Sequence, residues 1–137
     1  MPSGARVGLT VPMHRILLRE VVIDAPTETF AATRDFWAAT LLTGSRRLAD
    51  HPEFTALVDP ASLPLVGLQD VGTDRARFHL DLETDDVPAE VERLVRLGAV
   101  EVSRQPSWVV LRDPAGLLLC VLPAESPDFA ERSREVP

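Results

Sequence analysis

Pro52, Phe54, Leu57, Asp59, Pro60, Ala61, Ser62, Leu63, Leu65 and Leu68 return 54 positions later as Pro106, Trp108, Leu111, Asp113, Pro114, Ala115, Gly116, Leu117, Leu119 and Leu122, without a gap. Each copy sets an Asp-Pro turn former between two alternating apolar runs, which predicts a hairpin of two strands. Upstream, Leu18-Arg-Glu20-Val-Val-Ile-Asp24 is echoed by Arg77-Phe-His79-Leu-Asp81-Leu-Glu83 at an offset of 59. The first copy therefore carries about five extra residues between its matched stretches, and the chain reads as one supersecondary unit used twice.

The segments between the echoes complete the unit. A strand from Ile16 to Asp24 is broken by Ala25-Pro26-Thr27. Phe30, Thr33, Trp37 and Leu41 then recur at helical spacing over 28–42, and Gly44 supplies a stop. Short strands are expected near 46–50, 53–59 and 63–71. The second copy repeats this order: strand 76–84, a helix opened by Asp85-Asp86-Val87-Pro88 and ended by Gly98, then strands near 99–104, 107–112 and 117–122. The expectation is an α+β domain over 16–123, built of two βαβββ halves (16–72 and 76–123) whose curved mixed sheets surround a central cleft. Residues 1–15 read as a flexible leader and 124–137 as a polar tail.

Composition narrows the chemistry. The chain has 137 residues and a formal net charge of −7. An acidic surface disfavours nucleic acid and anionic membranes, favours a cationic ligand, and leaves a cytoplasmic address as the default. Lys, Tyr and Asn are absent, so all 14 basic residues are arginines, and lysine Schiff bases and tyrosine acids are excluded. The single Cys120 has no partner for an internal disulfide.

Alternation along β-structure separates two faces. Phe78, Leu80 and Leu82 share one, and the helix that follows is expected to cover it with Val87, Val91 and Leu94, because only that face buries the stripe without stranding charge. His79, Asp81 and Glu83 then point the other way. In the first copy Glu20 and Val22 take that face, and the 59-residue offset makes Glu20 the counterpart of His79. Two ionisable groups would converge from the two halves, as a ligand or metal site requires.

The βαβββ repeat, the Phe36-Trp37 pair late in the first helix, the strand His79-Leu-Asp-Leu-Glu before an Asp-Asp-Val helix start, and the Asp113-Pro-Ala-Gly hairpin before a last strand resemble the glyoxalase/bleomycin resistance/dioxygenase (vicinal oxygen chelate) superfamily. The resemblance is closest to its glyoxalase-like proteins of unassigned activity. It implies a small-molecule-binding homodimer, a lyase or dioxygenase relative in one version and a metal-free drug- or metabolite-sequestering protein in the other. It also implies a divalent metal held by four positions, on the first and last strand of each half. Glu20 and His79 stand at the first-strand positions. The last-strand position of the second half falls on Cys120 and, 54 residues earlier, on Val66. A valine cannot ligate and a lone thiol suits few hard ions, so the metal-free version fits the residues better. Gln69 can replace Val66 only if the strand shifts register, for example at Gly67.

The candidate catalytic residues are thus His79 and Glu20, and Asp81, Gln69, Trp108 and Cys120 complete the ligand-binding set. His79 has the chemistry of a ligand, a base or an orienting donor. Arg19 or Arg77 is the expected ion-pair partner of Glu20. Cys120 reads most simply as a small buried apolar residue, with a thiolate activated by His79 as the sharper alternative. Trp108 and Phe54 are symmetry mates at strand starts, suited to packing or, for a cleft-facing Trp, to a flat ligand. His14 and His51 are expected in solvent. The sequence leaves open whether the halves pair within one chain or between two.

Overall fold

The computed structural model describes residues 13–41, 43–58 and 65–137. The order is β1 (Arg15–Ala25), α1 (Thr27–Thr40), β2 (Gly44–Arg47), β3 (Phe54–Val58), β4 (Val66–Asp70), then β5 (Arg77–Thr84), α2 (Val87–Arg96), β6 (Val100–Arg104), β7 (Val109–Arg112) and β8 (Leu118–Pro123). A four-residue helix α3 (Phe129–Arg132) and a two-residue strand β9 (Arg134–Glu135) follow. Each half is the expected βαβββ. The Asp59–Ser62 turn of the first half lies outside the described residues. No described helix is long and apolar enough to cross a membrane.

Both halves join within one chain. Inside each, the first and last strands pair in parallel, β1 with β4 and β5 with β8; β1 and β5 then pair antiparallel. The result is one curved sheet in the order β2-β3-β4-β1-β5-β8-β7-β6, with β9 added to β1. A bulge between Leu18 and Glu20 interrupts the central seam.

Two small cores sit under the helices. Phe30, Trp37, Ala38 and Leu41 cover Ile23, Leu57 and Leu68, while Val87, Val91 and Leu94 pack with Val109, Leu111 and Val121. One expectation fails here. Phe78 and Leu80 are 57% and 43% exposed. Helix α2 packs beyond β5, over β7 and β8, and α1 covers β3, β4 and Ile23 of β1, so neither reaches Phe78 and Leu80 on β5.

Local signals behave as physical chemistry requires. Asp86 accepts a hydrogen bond from the Ala89 amide at 3.0 Å and caps α2. Gly98, at φ +116°, ends that helix while the Ala99 amide reaches back to the Leu94 carbonyl at 2.9 Å. Gly98→Ala is expected to lower unfolding free energy by about 1 kcal/mol, read as a shifted urea midpoint, because that φ strains any Cβ. Asp113 Oδ1 accepts from the Ala115 and Leu117 amides, both at 2.8 Å, which explains this aspartate as a turn residue.

His14 departs from the solvent-exposed expectation. Its side chain is 11% exposed, with Nε2 2.7 Å from Oε1 of the fully buried Glu90. Arg93 grips the same carboxylate through two bonds of 2.8 Å. A buried carboxylate needs such partners, and that need draws His14 in. His51 is exposed as expected. The C-terminal segment is docked: the buried Glu83 accepts from the Ser126 hydroxyl at 2.8 Å and its amide at 3.2 Å, and Val136 is buried.

Candidate functional site

On the sheet face opposite the helices, β1 contributes Glu20, Val22 and Asp24, and β5 contributes Arg77, His79 and Asp81. Their register places Glu20 opposite Asp81, Val22 opposite His79 and Asp24 opposite Arg77. Cys120 on β8 lies beside Asp81. The duplicated architecture therefore does bring Glu20 and His79 onto one face, two residues apart along the seam.

Their contacts form a chain. His79 Nδ1 is 2.9 Å from Asp24 Oδ2, and Nε2 is 3.3 Å from Asp81 Oδ1. Arg77 Nε lies 3.1 Å from that same Asp24 oxygen, close enough for an ion pair but too bent for a hydrogen bond. Asp81 in turn shares a hydrogen bond with Glu20, whose other flank is Arg19 at 3.7 Å. The sequence had offered Arg19 or Arg77 to Glu20; Arg19 takes that place and Arg77 serves Asp24. Asp24 is completely buried, and its Oδ1 has no partner among the described residues.

Charge follows from this burial. Desolvation works against a charged His79, but hydrogen bonds and negative charge from Asp24 and Asp81 outweigh it and push its pKa up to about 9. At neutral pH it is an imidazolium with both N–H groups engaged, which removes it as a free base. Burial, the negative charge of Asp81 and the hydrogen bond with it push Glu20 up to about 7, against Arg19 and His79. Glu20 is the group of this cluster poised to exchange a proton near neutrality. Cys120 is pushed up to about 12, by burial first and then by Asp81 and Asp24, so it stays a thiol. That disfavours the thiolate alternative and agrees with a largely buried thiol, although its neighbours include the carboxylates of Asp81 and Asp24.

The fourth position corrects the sequence. In the second half Cys120 pairs with Asp81 and Val110; in the first, the residue that pairs with their counterparts Val22 and Ala56 is Gly67. The uninterrupted 54-residue echo conceals a one-residue slip, and such a slip exchanges faces. Val66 accordingly packs under α1. Gln69 gains the site face, opposite Asp24, without a recorded bond into the cluster. Trp108 is half-buried at a turn where its carbonyl accepts from the Gln105 amide, apart from the cluster.

A family-type divalent ion does not fit this arrangement. A Cβ at Gly67 would stand 2.8 Å from Glu20 Oε1, so the Glu20 carboxylate occupies the space a β4 ligand would use. The β8 position holds the sulfur of Cys120, a soft donor that suits few hard ions. A different trio does converge: donor atoms of His79, Asp81 and Cys120 lie within 4.8 Å of one another.

Sequence reasoning missed Asp24, Arg77 as its partner, and Gly67. Asp24 was reachable, since it continues the Glu20, Val22 alternation by one step. An open cavity of about 910 Å³ flanks the cluster, walled by Leu17, Leu18, Val21, Leu65 and Leu82, with Glu20 as its link to the buried chain. It occupies a notch in the sheet: β9 pairs with β1 only at Arg15 and Ile16, and β4 only from Val21 onward.

Comparison with known proteins agrees with this architecture. A family model described as a glyoxalase-like domain matches residues 20–122. No curated protein sequence matches. Among solved structures, a Legionella pneumophila protein described as NAD-dependent benzaldehyde dehydrogenase superposes with a TM-score of 0.55 at 15% identity, over 77% of this chain and 99% of its own. Hypothetical protein BH1468 from Bacillus halodurans gives 0.55 at 9% identity, over 81% and 96%. Methylmalonyl-CoA epimerase from Mycobacterium tuberculosis gives 0.52 at 16% identity, over 82% and 90%. At such identities the likeness carries the fold alone. The match across both halves, on a βαβββ pair joined at β1 and β5, shows that this chain belongs to the glyoxalase-like domain family.

Proposed function

We propose that this protein binds a small organic molecule in the notch beside β1 and meets it with Glu20, without the divalent ion used elsewhere in the superfamily. One observation carries this: Glu20 is both a wall of the 910 Å³ cavity and the end of the buried Arg77–Asp24–His79–Asp81 chain. Ligand sites run to about 300–1,000 Å³ and combine apolar walls with a few placed polar groups. If the bound molecule reacts, Glu20 gives or takes the proton, and the charge on Glu20 when it has given it is stabilised by Arg19 at 3.7 Å and by imidazolium His79, which also offsets Asp81.

Titration calorimetry with the neutral probe 3-phenylpropanol tests the cavity. Wild type is expected to bind one equivalent. Leu18→Trp, at a half-exposed wall position, should weaken that binding about tenfold by filling the space. Absence of heat at millimolar probe with wild type would remove the proposal.

A second reading rests on the His79, Asp81 and Cys120 trio, which has the ligand types of a divalent transition-metal site. Titration with Co²⁺, followed in the visible and near-ultraviolet, separates the two. No thiolate-to-cobalt band is expected; a stoichiometric band that vanishes in Cys120→Ser would replace the metal-independent reading.

The uncovered seam carrying Leu18, Phe78 and Leu80 supports a homodimer that buries it. Light scattering should then give twice the 15.0 kDa chain mass, and Phe78→Glu should return the monomer.

A further inference from the structure

We infer that the notch cavity selects a hydrophobic monocarboxylate, anchored by Arg134; this names the ligand class of the site proposed above and rests on that reading. The charged groups on its lining are Arg19, Arg132, Arg134, Glu20 and Asp128, with Ser126 the remaining polar side chain. Most of that charge is already matched. Arg19 Nη1 is 3.2 Å from Glu83 and 3.0 Å from Glu125, and Arg132 Nη1 is 3.1 Å from Asp128. Glu20 is paired with Arg19 at 3.7 Å and hydrogen-bonded to Asp81. Arg134 has no ion-pair partner among the described residues, and its place on the cavity wall is fixed by the pairing of β9 with Ile16.

A guanidinium without a partner, beside a wall of leucine and valine, is complementary to an anion carrying an apolar body. Its planar fork matches a carboxylate through two parallel bonds. The formal charge of −7 pointed to a cationic ligand, but that sum describes the far field. On the cavity wall, the one charged side chain without an ion-pair partner among the described residues is Arg134.

Three probes with one carbon skeleton decide the matter: 3-phenylpropionate, 3-phenylpropanol and 3-phenylpropylamine, each titrated calorimetrically into wild type and Arg134→Glu at low salt. In wild type the acid should bind about tenfold or more tighter than the alcohol, and the amine weakest. Arg134→Glu should invert the order of acid and amine while the alcohol holds its affinity. Arg134 is exposed, so the fold should tolerate the change, and Arg134→Gln offers a milder version in which the acid loses only its advantage over the alcohol. An alcohol or amine that binds wild type as tightly as the acid overturns the carboxylate assignment and leaves the cavity reading standing. An unchanged order in Arg134→Glu overturns Arg134 as the anchor. Binding by none of the three removes the cavity reading itself.

Discussion

Asp24→Ala is expected to destabilise the protein by about 3–5 kcal/mol, the cost of stripping a buried charge network of its central partner. Asp24 Oδ2 receives both His79 Nδ1 at 2.9 Å and Arg77 Nε at 3.1 Å, with no solvent access to the carboxylate. Removal leaves the buried His79 imidazolium with Asp81 as its one remaining carboxylate partner, while the partly exposed Arg77 keeps only Asp74, at 3.8 Å. Asp24→Asn should cost less, because the amide oxygen still accepts from the imidazole while the charge is lost. Urea denaturation at unchanged m-value measures both. A loss below about 1 kcal/mol for the alanine variant would show that the cluster does not organise the seam. A second readout follows from the same contacts: His79 should titrate at lower pH in either variant, visible in its imidazole resonances.

Stability should also fall steadily from weakly acidic to alkaline pH. His79 has a folded pKa of about 9 against an ordinary 6.5, so the folded state holds its proton more tightly. That contribution is complete below about pH 6.5 and disappears as the pH rises through about 9; for a group this buried it amounts to roughly 2–3 kcal/mol. Glu20, raised from 4.5 to about 7, acts in the same direction: ionising it inside the fold is penalised, so stability is lost between those two values. Glu90 runs oppositely. Burial there is outweighed by hydrogen bonds from Arg93 and His14, its pKa is lowered, and the fold weakens only as the pH drops through it. The urea midpoint should therefore peak in mild acid and decline toward pH 10. His79→Gln should flatten the alkaline limb and Glu20→Gln the part near neutrality. A wild-type midpoint that stays level across that whole range would contradict the charge states assigned to both residues.

On the proposed metal-independent reading, the same cluster supplies what an ion would otherwise bring. Glycine at position 67 leaves the space beside β1 free, Glu20 turns into it, and the positive charge at the floor of the site comes from an imidazolium held between two aspartates. Filling position 67 with a side chain would first have to displace the Glu20 carboxylate.

The element order from β1 to β8, with its two helices, and the placing of Glu20 and His79 on one face follow from sequence alone. They depend on local and periodic signals: the Asp-Pro hairpin formers, glycines where the backbone turns left-handed, the stripe Val87, Val91 and Leu94, and alternation along Leu18–Asp24 and Arg77–Glu83. What tertiary structure decided were the relations that no local pattern encodes. An ungapped echo assigned Val66 to the site, whereas strand pairing with β1 slid the ladder by one residue and put Gly67 there, because a strand's side chains change face at every step. Phe78 and Leu80 carry the signature of a covered face, yet the crossover helices pack to either side of β5 and leave both exposed. His14 reads as solvent-exposed until the buried charge of Glu90 draws it in, and Glu20 rather than His79 becomes the group raised to near neutrality only once Asp24 and Asp81 are seen to hold both imidazole nitrogens. Each of these depends on which charges and edges meet across the sheet, and that is fixed by the packing of segments far apart in the chain.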